Sequence, residues 1–277
     1  GVVNANTDSF SDPRSDSSPQ LVIDHAASLV SGGADLLDVG GQTASPAVPE
    51  IGVDEELERV IPVIEALAEA LPHVPLSVDS YRVEVAEAAL RAGASVLNNI
   101  IGAQHVAFAT LAVRYGAAHV ITHNPGAPKT KLLENERYDD VVTDVGDYFR
   151  LQLAELSQVA GAVDATIVDP GVDLAKTPAQ SLELLRRAEE FDELGVPVLM
   201  AISRKDVIGV MTQSPPDERL AGTLAALGHL RRGGRRIFRL HDVAEARRYL
   251  MVTRHLDGFE SLAPDARLAA ELRRRRA

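Results

Sequence analysis

The sequence contains no cysteine, and aromatic residues make up only 4% of it. The absence of cysteine excludes disulfides, zinc–thiolate sites and thiol nucleophiles. No apolar run approaches the roughly 20 residues that are needed to cross a bilayer, so the sequence predicts no membrane span. The net charge of −12 argues against general binding of nucleic acid and against attraction to a membrane surface. The default expectation is therefore a soluble cytoplasmic protein.

The length of 277 residues, 45% of them hydrophobic, suits one large α/β domain or two small ones with a sizeable core. No signal peptide is visible, and the chain opens directly on its first predicted strand, which is consistent with a truncated amino end. We expect residues 1–277 to form a single domain.

Eight short apolar runs recur along the chain, and most of them are preceded by a stretch with apolar residues at helical spacing. Such short runs, ended by polar residues, are typical of strands that are buried on both faces. The runs are residues 1–3 before Asn4, 36–39 before Gly40, 76–78 before Asp79, 96–97 before Asn98, 120–121 before Thr122, 166–168 before Asp169, 198–202 before Ser203, and 237–240 before His241.

Eight strand–helix units in this length match a (β/α)₈ TIM barrel, which typically has about 250 residues and an active site at the C-terminal ends of its strands. A doubly wound open sheet is the alternative, but it would gather its ligand groups at one switch point. The chain has no GxGxxG and no GxxxxGK[ST] motif, which weakens a nucleotide-binding fold further. The barrel is favoured, and the polar residues at its strand ends are Asn4, Asp79, Asn98, His123, Asp169, Lys205, Arg239 and His241.

Two of these strand ends carry carboxylates, Asp79 and Asp169, which can each accept two hydrogen bonds. Together with Asn98 and Lys205 they suit a planar heterocycle that has an amidine-like donor edge and a carbonyl or ring-nitrogen acceptor. A third carboxylate, Asp38, lies inside its strand, where a structural ion pair is the expected role.

A second group of strand-end residues suits an anion. Arg239 and His241 are two positions apart on one strand, so both point to the same face. With Asn4 they offer a site of the kind that a phosphate or pyrophosphate needs. Neither a Ser-His-Asp arrangement nor the paired carboxylates of a glycoside hydrolase competes with this interpretation.

Several motifs along the chain resemble, in the same order, those of the dihydropteroate synthases and their pterin-binding relatives. The resemblance covers nearly the whole chain, and the motifs are specific in combination. They are VVNANTDSFSD at 2–12, ADLLDVGGQ at 34–42, SVDSYRVEVAEAAL at 77–90, LNN at 97–99, DPGVDLAKT at 169–177, SRKDVIG at 203–209 and RLHDV at 239–243.

This resemblance implies a transferase that joins a hydroxymethyl-dihydropterin pyrophosphate to p-aminobenzoate and releases pyrophosphate. Carried over by motif, the residues that would hold the pterin are Asp79, Asn98, Asp169 and Lys205. Those that would hold the pyrophosphate are Arg239, His241 and Asn4, with Asn4 also near a magnesium ion as its ligand. The candidate catalytic residues are Asp79, Asp169, Lys205, Arg239 and His241.

The acceptor half departs from the family pattern. The family's second loop reads like Glu-Ser-Thr-Arg-Pro-Gly, whereas Gln42 begins the corresponding QTASPA here, so Thr43 and Ser45 are the candidate acceptor residues and Ser45 replaces the arginine. Asp206 stands where a serine would meet the carboxylate of p-aminobenzoate. An unpaired carboxylate there would repel that substrate, and we expect p-aminobenzoate to be used poorly or not at all.

Further departures lie beside the same half of the site. Glycines and a phenylalanine of the family correspond to Asp173, Leu174 and Ala175, a proline of the first loop corresponds to Thr7, and a Met-His-Met-Arg-Gly stretch corresponds to residues 122–126.

Three hypotheses follow from this pattern. The first is a dihydropteroate synthase-like enzyme with a rebuilt acceptor site, and the second is a divergent paralogue that binds pterin but uses another acceptor or is inactive. The third is a methyl-tetrahydrofolate methyltransferase, which ranks last because that class does not need the Ser-Arg-Lys and Arg-x-His anion site. The resemblance also implies a homodimer formed through the later barrel helices, with no nucleic-acid or membrane partner.

Overall fold

The fold is known from a computed structural model, which describes residues 1–5, 19–42, 48–126 and 138–273. Within those ranges, no helix combines the length and the apolar character needed to span a membrane.

The described residues contain eight strands, all parallel and hydrogen-bonded in sequence order from β1 to β8. The predicted barrel is confirmed, and the predicted strands differ from the observed ones by only one or two residues at their ends. The strands are β1 (Val2–Asn4), β2 (Leu37–Gly40), β3 (Leu76–Asp79), β4 (Val96–Asn99), β5 (Ala118–Thr122), β6 (Thr166–Asp169), β7 (Val198–Ala201) and β8 (Arg236–Arg239).

The barrel is nearly closed, and its seams differ in strength. The N–H of Val2 in β1 donates to the carbonyl of Leu240, just beyond β8, at 3.2 Å. Most neighbouring strands share three or four paired positions. β6 and β7 share a single one, Val168 with Val198. Among consecutive strands, the junction of β6 and β7 is therefore the least extensively paired, and in the described residues no paired position joins β8 to β1.

Helices alternate with the strands and surround them. The α-helices in the described part of the chain are α1 (Pro19–Ser31), α2 (Val53–Ala70), α3 (Val83–Arg91), α4 (His105–Tyr115), α5 (Val141–Leu156), α6 (Pro178–Arg186), α7 (Asp206–Thr212), α8 (Leu220–Leu230) and α9 (Val243–Leu256). Short 3₁₀ helices lie at Ala188–Leu194, Pro216–Glu218 and Ala270–Leu272.

Helix α2 shows why these segments are helical and pack on the sheet. Its buried residues Val60, Val63, Ile64 and Leu67 recur at a spacing of three and four, so they form one apolar stripe against the strands. Three acidic residues in its first turn complement the positive end of the helix dipole.

The period of two along each strand separates the barrel interior into layers. Val96, Val120 and Leu199 form an apolar cluster inside the barrel. Two residues beyond Val96 on the same face lies Asn98, and similarly Asp169 lies beyond Ile167 and Arg239 beyond Ile237. The apolar layer therefore supports a polar layer at the C-terminal ends of the strands, as the sequence predicts.

A buried ion pair joins α2 to the segment between β3 and α3. The side chain of Glu56 in α2 is fully buried, and its Oε2 accepts a hydrogen bond from Nη1 of Arg82 at 2.5 Å. Arg82 also donates to the carbonyls of Ile51 and Gly52, so it fixes the entry into α2 as well. Removal of one partner from such a pair leaves a buried charge without compensation.

Replacement Arg82→Met should therefore lower the free energy of unfolding by about 3–5 kcal/mol, because Glu56 loses its cation. The control is Arg91→Met, which removes an i,i+4 pair with Glu87 on a side chain that is 62% exposed, and should cost less than about 0.5 kcal/mol. Urea unfolding measures both. Adding Glu56→Gln to Arg82→Met should recover part of the loss, and equal losses in the two single variants would contradict the argument.

Candidate active site

The C-terminal ends of the strands bring most of the predicted site residues to one end of the barrel. Asn4, Asp79, Asp169 and Arg239 are the last residues of β1, β3, β6 and β8, and Asn98 lies one residue before the end of β4. Lys205 directly precedes α7, and His241 follows β8 by two residues. Their convergence follows from the parallel barrel, since all strands end at the same rim.

Arg239 links two carboxylates at the floor of this site. Its Nε donates to Oδ2 of Asp38 at 2.6 Å and its Nη2 donates to Oδ2 of Asp79 at 2.8 Å. The amide of Asn98 donates to the same Asp38 oxygen at 3.1 Å. Asp38 thus has the structural ion-pair role that the sequence predicts, and it holds the guanidinium of Arg239 beneath Asp79.

The carboxylates of the floor are costly to ionise without this cation. Burial raises the pKa of Asp79, the positive charge of Arg239 opposes that rise, and the nearby Asp38 adds to it. A ligand that donates hydrogen bonds to Asp79 would favour the ionised form. The floor is therefore suited to a donor-rich, partly cationic group.

On the other side of the barrel, Asp169 is buried at the end of β6. Its Oδ1 accepts the backbone N–H of Gly171 at 2.8 Å, which leaves Oδ2 for other donors. Burial raises the pKa of Asp169, while the Gly171 bond and the positive charges of Lys205 and Lys176 lower it. Burial lowers the pKa of Lys205, and the charges of Asp173 and Asp169 oppose that shift. Lys205 and Asp169 therefore favour each other's charged forms.

Ser203 joins the ends of β7 and β8 through His241. Its Oγ accepts the backbone N–H of His241 at 3.2 Å and lies 2.9 Å from Nδ1 of the ring. When the Ser203 hydroxyl donates to Nδ1, the ring proton of a neutral imidazole lies on Nε2. Burial and the positive charges of Arg239 and Arg204 lower the pKa of His241. A neutral imidazole with a free Nε2–H can donate to an anion.

Arg204, between Ser203 and Lys205, pairs within the protein. Its Nε and Nη2 donate to the two carboxylate oxygens of Asp242 at 3.0 and 2.5 Å, in a fork-like pair. The backbone of Arg204 has a left-handed φ of 58°, and its N–H donates to the hydroxyl of Thr223. Sequence reasoning missed Asp242 and Thr223 as partners of the Ser-Arg-Lys segment.

Asp206 has a cation beside it, which corrects its treatment as an unpaired anion. Nη1 of Arg219 donates to Oδ1 of Asp206 at 3.0 Å and to the carbonyl of Arg204 at 2.9 Å, and Nε of Arg219 donates to the carbonyl of Ser214. The carboxylate of Asp206 is exposed, whereas the side chain of Arg219 is largely buried. Any repulsion of an acceptor's carboxylate by Asp206 is therefore reduced by Arg219.

A second lysine organises the loop after β6. Nζ of Lys176 is buried and donates to the carbonyls of His123, Gly171 and Leu174 at 2.9, 3.1 and 3.0 Å. Burial lowers the pKa of Lys176 to about 7, and the charge of Asp169 opposes the shift. Three carbonyl acceptors use all three hydrogens of an ammonium group, which favours the charged form. Gly171 makes this possible, because a Cβ there would collide with the carbonyl oxygen of His123.

Lys176 was not singled out from the sequence, although one signal was available. The chain has only four lysines, Lys129, Lys131, Lys176 and Lys205, among 28 basic residues. Two of the four lie at this rim. Lysine differs from arginine in carrying a compact charge whose pKa shifts readily on burial.

The remaining predicted residues differ in their outcome. The ring of His123 packs edge-to-face on Tyr148 of α5, with ring centres 4.9 Å apart, so its strand-end position does not by itself bring the ring to the charged floor. Asn4 is exposed at the end of β1. Thr7, Thr43 and Ser45 lie outside the described residues.

A magnesium ion at this rim would have few protein ligands. In the described ranges, no three His, Asp or Glu side chains form a group that could hold a metal ion. Mg²⁺ commonly keeps several waters and takes one or two protein oxygens plus substrate phosphates, rather than a protein cage. A single amide oxygen from the exposed Asn4 fits an ion that arrives with a pyrophosphate.

Comparison with known proteins agrees with this geometry. A family model described as pterin binding enzyme matches residues 1–241. The dihydropteroate synthase of Escherichia coli K12 is 36% identical over 245 residues, which cover 88% of this chain and 86% of that protein. A protein of Mycobacterium bovis named inactive dihydropteroate synthase 2 is 37% identical over 262 residues, covering 93% of this chain and 82% of that protein.

A solved structure of Xanthomonas albilineans dihydropteroate synthase with 4-aminobenzoic acid is similar across the barrel. It superposes with a TM-score of 0.82 at 35% sequence identity and covers 93% of this chain and 92% of its own. The family model spans well over half of the chain, and Asp79, Asp169, Lys205 and Arg239 lie at or just beyond the C-terminal ends of their strands. The chain belongs to the pterin-binding enzyme family, among the relatives of the dihydropteroate synthases.

Proposed function

We propose that this protein joins a hydroxymethyl-dihydropterin pyrophosphate to an arylamine and releases pyrophosphate, with an altered site for the arylamine. The observation that carries the proposal is the convergence of two buried carboxylates, Asp79 and Asp169, with Lys205 and Arg239 at one rim of the barrel. The names of the E. coli and X. albilineans relatives, both dihydropteroate synthases, support this function over methyl transfer.

The pterin would lie between Asp79 on β3 and Asp169 on β6. Its amino and ring N–H groups would donate to Asp79 and Asp169, and its carbonyl or ring nitrogen would accept from Asn98 or Lys205. Asp169 has one oxygen, Oδ1, already bonded to Gly171, so it would offer Oδ2. These ligand donors would replace water that burial has removed from the carboxylates.

The pyrophosphate would lie toward β8 and β1. His241 would donate through Nε2, and the Nη1 of Arg239 remains for an anion, since Nε and Nη2 already bond to Asp38 and Asp79. Asn4 would supply the single protein oxygen to a magnesium ion. When bound, that ion would neutralise negative charge on the leaving oxygens.

The reaction needs charge separation, and the residues are arranged to stabilise it. The bond between the pterin methylene carbon and the pyrophosphate oxygen breaks, and its electron pair leaves with the pyrophosphate. The arylamine nitrogen then forms the new bond to carbon and loses a proton. Fixed carboxylates beside the ring stabilise the developing positive charge, and His241 and Arg239 stabilise the departing anion without reorganisation during the step.

Replacement Asp169→Asn should weaken binding of hydroxymethyl-dihydropterin pyrophosphate by about 2–4 kcal/mol, because a charged acceptor becomes a neutral amide. The asparagine oxygen can still accept the N–H of Gly171, so the loop should survive. Calorimetry with magnesium present measures the affinity, with Asp147→Asn on the exposed face of α5 as the control that changes net charge equally. A wild-type protein that binds no pterin, with or without magnesium and pyrophosphate, would show the proposed function to be wrong.

A second candidate is a pterin-binding paralogue that does not use p-aminobenzoate. Two observations favour it. The M. bovis relative carries the name of an inactive synthase, and this chain has Ser45 and Asp206 where the family has an arginine and a serine. Pterin binding would then be retained, while turnover would need another amine or be absent.

Arg219 makes the acceptor half testable. Replacement Asp206→Ser removes the repelling carboxylate and releases Arg219 to face the acceptor's carboxylate, so kcat/KM for p-aminobenzoate should rise by about tenfold or more. The double variant Asp206→Ser with Arg219→Met should lose that gain. Aniline, which lacks the carboxylate, serves as the control acceptor and should respond little to either change.

Addition of Ser45→Arg to Asp206→Ser should increase turnover of p-aminobenzoate further, and non-additively, since both residues would act on one carboxylate. A wild-type protein that prefers p-aminobenzoate to aniline as strongly as a typical synthase would contradict this account of the acceptor half.

Two further expectations remain proposals: a homodimer, which the resemblance implies, and a cytoplasmic location, which the composition of the chain favours. Light scattering on the purified protein tests the first. A solution mass equal to one chain would contradict the homodimer.

A further inference from the structure

The loop after β6 has an unusual backbone at positions where the chain departs from the family pattern. Gly171, Asp173 and Ala175 all have a left-handed φ, at 72°, 60° and 50°. Glycine adopts this region readily, whereas a residue with a Cβ is disfavoured there. Asp173 and Ala175 correspond to glycines in the resemblance. Non-glycine residues persist in such a conformation when the surrounding contacts determine it.

Asp173 makes one side-chain contact that a glycine could not make, and one backbone contact that any residue could make. Its Oδ2 accepts the backbone N–H of Val207, in the first turn of α7, at 3.2 Å. Its own N–H donates to the hydroxyl of Ser181 in α6, at 3.0 Å. The side chain thus ties the loop after β6 to the segment after β7, and Lys205 lies two residues before the bonded Val207.

The charge of Asp173 also acts on Lys205. Burial lowers the pKa of Lys205, and the largest charge effect that opposes this shift is that of Asp173, followed by Asp169. Five other charged or titratable groups face Lys205. They are Arg239 on β8, Asp206 on α7, Lys176 on the loop after β6, Asp79 on β3 and His241 beyond β8. Arg239 and Lys176 oppose protonation of Lys205, so the carboxylate of Asp173 compensates for cations that are already present.

We propose that Asp173 is a positioning residue: its carboxylate fastens the loop after β6 to the first turn of α7, and so keeps Lys205 beside Asp169, where Lys205 can donate to the pterin. The inference deepens the proposed function and depends on it. It assigns a role to a carboxylate that the family motif does not contain. The left-handed backbone of Asp173 is tolerated because its carboxylate bonds to the first turn of α7.

The four lysines make a direct test possible. Nuclear magnetic resonance of protein labelled with ¹⁵N-lysine follows the titration of each ammonium group, and Lys205→Arg assigns the Lys205 signal. Asp173→Asn keeps an oxygen that can accept the N–H of Val207 but removes the charge, and should lower the pKa of Lys205 by about one unit. Glu183→Gln, an exposed change on α6, is the control and should leave that pKa unchanged.

A binding experiment shows whether the pKa matters. The charged ammonium of Lys205 donates more strongly than a neutral amine would, so affinity for hydroxymethyl-dihydropterin pyrophosphate should weaken as the pH rises through its pKa. In Asp173→Asn this loss should occur about one pH unit lower than in the wild type, and KM for the arylamine should not change. Asp173→Gly, which also relieves the left-handed backbone, should show the same shift and in addition an about threefold to tenfold weaker affinity at neutral pH.

The possible outcomes distinguish a failure of the role proposed for Asp173 from a failure of the proposed function. Identical Lys205 titrations in the wild type and Asp173→Asn would overturn the role of Asp173, as would an equal shift in Glu183→Gln. A shifted titration in a protein that binds no pterin would overturn the proposed function and leave the coupling of Asp173 to Lys205 intact.

Discussion

The need to neutralise buried charge is the constraint on which this barrel depends. Three carboxylates, Asp38, Asp79 and Asp169, lie at the ends or inside of strands where water is scarce. Arg239 bridges two of them, and Lys205 acts on the third. Each cation lowers the free energy of the carboxylates it faces, and loss of one would leave the others uncompensated. The same arrangement that keeps the apo protein folded also presents acceptors and donors to a ligand.

The segments that follow the strands are joined by a further set of ion pairs and hydrogen bonds. Arg204 with Asp242, Arg219 with Asp206, and the Ser203 hydroxyl with His241 all join segments that follow different strands or helices. These contacts fix the direction in which Lys205 and His241 project. The chemistry of the rim therefore depends on side chains that need not touch a ligand.

Much of the fold could be predicted from the sequence, because strand period and helix period are local properties. The apolar runs located all eight strands, and the polar residues at their ends located the rim. The structural role of Asp38 was also predictable, since a charge inside a buried strand needs a partner. The predicted strand β5 was too short because only its apolar pair was counted: Ala118 is a weak strand former, and Thr122 was taken as the polar residue that follows the strand, although threonine is common in strands.

The pairings between loops were not predictable in the same way. Arg219 is 13 residues from Asp206 and Arg204 is 38 residues from Asp242, and nothing local distinguishes these arginines from the chain's many other arginines. The three carbonyls that surround Lys176 carry no side-chain signature at all. Position 173 appeared in the sequence only as a departure from a glycine, and its bond to Val207 depends on a backbone angle that a single sequence does not reveal.

The single paired position between β6 and β7 has a consequence for motion. Hydrogen bonds along a ladder limit local opening, and among consecutive strands this junction has the fewest paired positions, so sub-global opening would cost little here. Beyond the strand ends, the carboxylate of Asp173 bridges this junction by accepting the backbone N–H of Val207 in α7. A ligand held by Asp169 at the end of β6 and by Lys205 beyond β7 would span the same seam. Occupancy would then slow amide exchange in both strands, and the barrel would be most rigid when its site is full.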